Sequence, residues 1–193
     1  MRVVAGEYKG HNLKTLKGET TRPTTMRVKE SLFSSLTSLL GTFERLTVLD
    51  CFAGSGGLGI EALSRGAANV LFFEKSRQAA QIVHENLHKI RAPKEQVALE
   101  IGDARDLVQR SRRHVFDVVF LDPPYALAPA EVFALVEALR ANQQLNADAL
   151  ICYELAKKNK PACEDEAHRL KWEIVSAKDF GDTTYVILRK ASE

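Results

Sequence analysis

From residue 46 onward the apolar positions fall into short blocks separated by amphipathic stretches. Residues 46–51, 69–74, 96–101, 116–122 and 149–154 are brief runs rich in β-branched and aromatic types, the pattern of buried strands. Residues 58–65, 77–91, 105–111 and 129–142 lie between them, with apolar residues at helical spacing. Strand alternating with helix predicts an α/β fold, a mostly parallel sheet with helices on both faces. The alternation then breaks. Residues 172–178 and 183–189 are two strand-like runs joined by Phe180-Gly181-Asp182, which predicts a hairpin and an antiparallel final strand. Seven strands result.

Ahead of this region, residues 1–18 alternate loosely around Gly6, Gly10 and Gly18 and predict a β-hairpin with strands over 2–5 and 12–16. Thr24 or Thr25 suits the N-cap of a helix over 26–40, whose apolar stripe is Val28, Leu32, Phe33, Leu36, Leu39 and Leu40. Arg22, Arg27 and Lys29 lie off that stripe, as solvated charges or as contacts to a phosphate or a cofactor carboxylate. The division expected is an N-terminal hairpin-and-helix appendage over 1–45 and a main domain over 46–193.

Length and composition narrow the class. A chain of 193 residues suits one domain with a small addition. No apolar run approaches the roughly 20 residues of a membrane span, and the first ten residues have no secretory apolar region. Cys51, Cys152 and Cys163 form no CxxC pair, which predicts a reduced, cytoplasmic protein without a structural metal. The net charge is +2, yet residues 1–45 hold eight Lys and Arg against four Asp and Glu. A basic N-terminal segment is compatible with a phosphate-backbone partner.

The chemistry concentrates at strand ends. Asp50-Cys51-Phe52-Ala53-Gly54-Ser55-Gly56-Gly57-Leu58-Gly59 links the first strand to a helix, and Gly54, Gly56 and Gly59 satisfy GxGxxG in the context that motif requires. Such a loop lets backbone approach a ligand at the positive end of a helix. Glu74, ending the second strand, is placed to accept hydrogen bonds from both ribose hydroxyls. Asp103, after the third strand, is placed toward an adenine edge. Asp50 suits an ammonium group, which favours S-adenosylmethionine over a dinucleotide.

The run 116–121 then ends in Asp122-Pro123-Pro124-Tyr125. Neither proline donates an N–H, and each fixes φ, so the strand stops abruptly. The residue before a proline is held extended. A rigid end that presents a carboxylate, a proline carbonyl and an aromatic face suits a flat group with an exocyclic amine, such as a nucleobase.

These residues resemble the class I S-adenosylmethionine-dependent methyltransferases, and specifically the bacterial RsmD family. Arg2-Val3-Val4-Ala5-Gly6 with Gly10 is similar to that family's opening hairpin. Arg22-Pro23-Thr24, followed by Arg27-Val28-Lys29-Glu30-Ser31-Leu32-Phe33, resembles its second signature. The glycine loop with Glu61-Ala62-Leu63-Ser64-Arg65 is close to its cofactor loop and helix, and Asp122-Pro123-Pro124-Tyr125 matches its catalytic motif. The resemblance implies a Rossmann-like class I methyltransferase sheet. It implies methyl transfer from S-adenosylmethionine to the exocyclic N2 of a guanine in 16S ribosomal RNA, free or in an assembling small subunit. Cofactor binding is then expected at Asp50, Phe52, Ala53, Gly54, Ser55, Gly56, Glu74, Lys75, Asp103, Ala104 and Asp122, and RNA contacts at Arg2, Lys9, Arg22, Thr24 and Arg27. A monomer with neither metal nor membrane partner is expected.

Rival readings are weaker. His84-Glu85-Asn86-Leu87-His88 spells HExxH, but Val83, Leu87 and Ile90 make that helix's core stripe with the histidines beside it. Tyr153 and Lys157 spell YxxxK of nicotinamide-dependent dehydrogenases, whose chemistry needs them about 6 Å apart on a helix. In a strand four residues span about 13 Å. A non-catalytic RNA-binding protein has no need of a carboxylate facing the base. Adenine N6, in DNA or RNA, is the main competing acceptor, because the same motif serves any planar amine.

Overall fold

The structure, a computed structural model, describes residues 1–16, 23–111, 113–124 and 126–191. Strands β1 (Thr47–Cys51), β2 (Asn69–Glu74), β3 (Val97–Ile101), β4 (Phe116–Leu121) and β5 (Leu145–Ala156) pair in parallel. Strand β7 (Thr183–Lys190) lies antiparallel between β5 and β6 (Trp172–Phe180). The order is β3-β2-β1-β4-β5-β7-β6. The order reverses between β1 and β4, so the crevice beyond their carboxyl ends is where a sheet of this kind takes ligands. The predicted seven-stranded α/β fold with an antiparallel last strand is the fold observed.

Helices α1 (Pro23–Leu40), α2 (Gly57–Ser64) and α3 (Arg77–Lys89) cover one face. Helices α4 (Leu107–Arg110), α5 (Pro129–Ala141) and α6 (Lys160–Arg169) cover the other. Alternation along each strand divides the core accordingly. Val48, Phe72, Val118, Phe120 and Cys152 face α1–α3, whereas Leu49, Phe73, Val119, Leu121 and Tyr153 face α4–α6. Phe33 of α1 is fully buried between Phe43 and Phe120, with ring centroids 5.6 and 5.5 Å away. Each such side chain contributes about 1.5–3 kcal/mol by leaving water.

Several local expectations are corrected. The N-terminal hairpin is a single bridge, Arg2 to Asn12, rather than two strands. The N–H groups of Val3 and Leu13 still cross to the His11 and Met1 carbonyls at 3.0 and 2.7 Å, but those of Val4 and Ala5 donate to the Glu61 carboxylate at 2.8 and 3.0 Å, and that of Glu7 to the Ser64 carbonyl at 2.7 Å. Helix α1 begins at Pro23, so Thr24 and Thr25 lie inside its first turn, and proline suits that position because it has no N–H to leave unpaired. Residues 105–111 divide into a 3₁₀ turn, Ala104–Asp106, and the short α4. Helix α6 has no counterpart among the predicted elements.

Lys29 is also corrected. It is only 4% exposed and pairs with the wholly buried Glu61 at 3.1 Å, while its Nζ donates to the Arg2 carbonyl at 2.7 Å. It fastens the N-terminal segment to α1 and α2 and is unavailable to a phosphate.

Candidate functional site

The glycine loop follows β1 through a strained corner. Phe52 adopts φ 69° and Gly56 φ 82°; the first is an uncommon conformation for a residue with a side chain. The N–H groups of Phe52 and Ala53 both donate to the Phe73 carbonyl, at 3.0 and 3.1 Å, which ties the corner to β2. The buried Asn86 of α3 donates to the Ser55 carbonyl at 2.9 Å and also brackets Lys14, accepting from its N–H at 2.8 Å. Gly59 is needed for close packing: a Cβ there would lie 2.4 Å from Phe72 and 3.0 Å from Asp50 Oδ2.

Carboxyl groups gather at the strand ends. Asp50 is buried, its Oδ2 accepts from the Gly59 N–H at 2.7 Å, and burial pushes its pKa up to about 8, with Asp122 and Glu74 adding to the rise and the Gly59 bond opposing it. Glu74, half-buried, accepts from the Gly54 N–H at 2.8 Å and the Ser76 N–H at 2.7 Å. Each of its oxygens accepts one of these bonds and has capacity for a second. Asp103 caps the 3₁₀ turn and binds Lys75 at 2.8 Å and Arg105 at 2.8 and 2.9 Å. Those two cations, Arg105 foremost, hold its carboxyl well below the usual range. Lys75 therefore acts on Asp103, and Ala104 is half-buried at the start of that turn.

Asp122 is exposed at the end of β4, Pro123 is buried, and Pro124 is exposed with its carbonyl taken by the Leu127 N–H at 2.9 Å. Tyr125 and Arg22 lie outside the described residues, as does the side chain of Thr24. Arg2, Lys9 and Arg27 are exposed.

Glu154 belongs to this group and was not singled out from the sequence. Leu121 of β4 pairs with Tyr153 of β5, so Asp122 and Glu154 are the next residues on adjacent parallel strands. Burial first, then the Asp122 charge, pushes Glu154 up to about 8. The signal available was an acidic residue near the end of a predicted strand, in line with Asp50 and Glu74. The two decoys resolve as expected. Tyr153 is buried in β5, whereas His84 and His88 are exposed on α3 and Glu85 binds Lys14.

The site thus combines a glycine corner, the half-buried Glu74 carboxylate and a buried Asp50 that holds a proton near neutral pH. Such a deficit of positive charge favours a cationic ligand.

Comparison with known proteins agrees. The family model described as Conserved hypothetical protein 95 matches residues 1–189. The chain is 37% identical over 186 residues to the Ribosomal RNA small subunit methyltransferase D of Haemophilus influenzae, covering 96% of this chain and 91% of that protein. It is 35% identical over 159 residues to the protein of that name in Escherichia coli, covering 82% and 76% respectively. The solved structure of the yhhF protein of Escherichia coli superposes with a TM-score of 0.78 at 29% identity, covering 100% of this chain and 99% of that one. Matched along nearly its whole length in sequence and in fold, the chain belongs to the RsmD family of class I methyltransferases.

Proposed function

We propose that this protein transfers a methyl group from S-adenosylmethionine to the exocyclic N2 of a guanine in 16S ribosomal RNA. The observation that carries this reading is Asp122 at the double-proline corner, standing at the switch point beside Asp50 and the glycine loop. Membership of a family whose curated members are named small-subunit ribosomal RNA methyltransferases supports it.

The residues present fit the methyl donor. Among the described residues no cation offsets the burial of Asp50, which holds a proton near neutral pH, and a sulfonium with its ammonium group meets that deficit. Glu74 has lone pairs for the ribose, and the Gly54–Gly56 corner admits backbone to the ligand. When bound, S-adenosylmethionine supplies an electrophilic methyl group, so the protein's task is to prepare the nucleophile.

An aryl amine is a poor nucleophile because its lone pair is delocalised into the ring. Asp122 and the Pro123 carbonyl accept hydrogen bonds from its two N–H groups and favour a pyramidal nitrogen. These bonds strengthen as positive charge develops on nitrogen, so they stabilise the transition state more than the ground state. Tyr125 stacks on the base, an interaction typically worth about 1–3 kcal/mol, and the base leaves its stack to enter. Exposed Arg2, Lys9 and Arg27, on the N-terminal appendage of residues 1–45, hold RNA phosphates.

The test is methyl mapping. Small ribosomal subunits from cells lacking the gene are incubated with the purified protein and a labelled donor, and nucleosides are resolved by mass spectrometry. Label in N2-methylguanosine at one 16S position is expected. Label only in N6-methyladenosine, or in protein, would overturn the reading.

A further inference from the structure

Among the described residues nothing gives Glu154 a structural role. It is half-buried at the end of β5, and among the described residues no side chain forms a hydrogen bond or ion pair with its carboxyl. The groups around it are committed elsewhere. Tyr185, its partner on β7, places its hydroxyl 3.1 Å from both Ser31 Oγ and Ser35 Oγ. Lys178, opposite Tyr185 on β6, reaches Ser31 Oγ. Lys157 and Lys160, further along the chain, pair with Asp179 at 3.0 and 3.5 Å. What remains nearby is Asp122, a like charge. A carboxyl held in that state costs stability, and perturbed groups of this kind concentrate where a ligand completes them.

The ligand chemistry follows from what sits beside the reacting amine. In guanine, N2 is flanked on one side by N1–H, a donor. In adenine and in cytosine the ring nitrogen beside the amine is an acceptor. An acceptor one strand over from Asp122 therefore distinguishes the bases. Phe120 and Cys152 pack into the same layer, so the two-residue alternation directs Asp122 and Glu154 to the same face of the sheet.

We propose that Glu154 is the base-selecting residue of this site, its carboxylate accepting the N1–H of guanine while Asp122 accepts from the neighbouring N2 amine. This rests on guanine N2 being the acceptor. In the free protein the carboxyl tends to hold a proton, and a donor arriving at it favours the ionised form. Where the carboxyl is ionised, an adenine or cytosine turns a ring lone pair toward it and is rejected, whereas guanine N1–H is accepted.

The test exchanges the base and the residue together. Small subunits are reconstituted with RNA carrying either guanosine or 2-aminopurine riboside at the methylated position. 2-Aminopurine keeps the amine and presents a lone pair at N1. At pH 9, where the carboxylate is the main form, the wild-type protein should methylate guanosine about 10- to 100-fold faster, the range of a lost hydrogen bond to a charged group. Glu154→Gln can donate to N1, so it should slow on guanosine and lose or reverse the preference, with its affinity for S-adenosylmethionine unchanged by calorimetry. A Gln variant that keeps the wild-type ratio, or a wild-type protein indifferent to the two bases, overturns the proposal. If the Gln variant does not fold, Glu154→Ala replaces it, with a ratio near one expected and an unchanged ratio contradicting. Absence of guanosine methylation by the wild type would instead strike the functional reading itself.

Discussion

Asp50 Oδ2 accepts a hydrogen bond from the Gly59 N–H at 2.7 Å, and the same oxygen would stand 3.0 Å from a Cβ at residue 59. One contact therefore fixes the first turn of α2 to the end of β1 and, by the same closeness, requires glycine. The predicted Cβ lies only 2.4 Å from Phe72 Cε1, in a buried aromatic ring that is itself part of the core. Gly59→Ala is expected to lower unfolding free energy by about 1–3 kcal/mol, the usual cost of overpacking, and to weaken S-adenosylmethionine binding by displacing Asp50. Denaturant unfolding and calorimetry measure both. An unchanged midpoint would mean that Phe72 moves freely.

The pH dependence of stability follows from Asp50 and Glu154. Both have folded-state values raised to about 8, against ordinary values of 3.8 and 4.5. The folded state then binds protons more tightly than the unfolded chain, so this contribution is complete below about pH 4 and is lost as pH rises through 8. Ligand-free protein should melt lower at pH 9 than at pH 6, and Asp50→Asn should flatten that dependence. A cationic donor prefers ionised Asp50, so its affinity should increase across the same interval. A thermal-shift series with and without S-adenosylmethionine reads both, and stability rising from pH 6 to 9 would contradict the assignment.

Glu61 is the other acidic residue whose loss has a defined cost. It is fully buried, pairs with Lys29 at 3.1 Å and Arg65 at 3.0 Å, and accepts from the Val4 and Ala5 N–H groups. Glu61→Ala strands the Lys29 ammonium and two amides in the core. Breaking one partner of a buried pair costs about 3–5 kcal/mol, so the variant should unfold at markedly lower denaturant. It should also expose residues 2–5 to hydrogen exchange. Protection at Val4 and Ala5 equal to wild type would disprove the anchoring role.

Much of this fold could be read from residue pattern. Runs such as Val118-Val119-Phe120-Leu121 are buried on both faces, and continuous apolar blocks report that directly. Helix α6 escaped because its buried face is two small residues, Cys163 and Ala167, within Lys160–Arg169, which is otherwise mostly polar. The N-terminal segment read as two full strands because alternation does not reveal that a buried carboxylate from α2 takes the Val4 and Ala5 amides. Lys29 read as a solvated charge or a phosphate or cofactor contact for the same reason, since its partner lies on another helix. At the site, Asp50, Glu74 and Asp122 were legible because each ends a strand or adjoins a recognisable loop. Glu154 was not, because its meaning depends on the register between β4 and β5.

The most direct measurement of the central claim is a paired assay on Asp122→Ala. Single-turnover methyl transfer to small ribosomal subunits and calorimetric binding of S-adenosylmethionine are recorded on the same preparation. With Asp122 in its proposed role at the substrate amine, transfer should fall by at least about 10²–10³-fold, the scale for one group stabilising developing charge, while donor affinity stays near wild type. Transfer within tenfold of wild type, at undiminished affinity, would contradict the account.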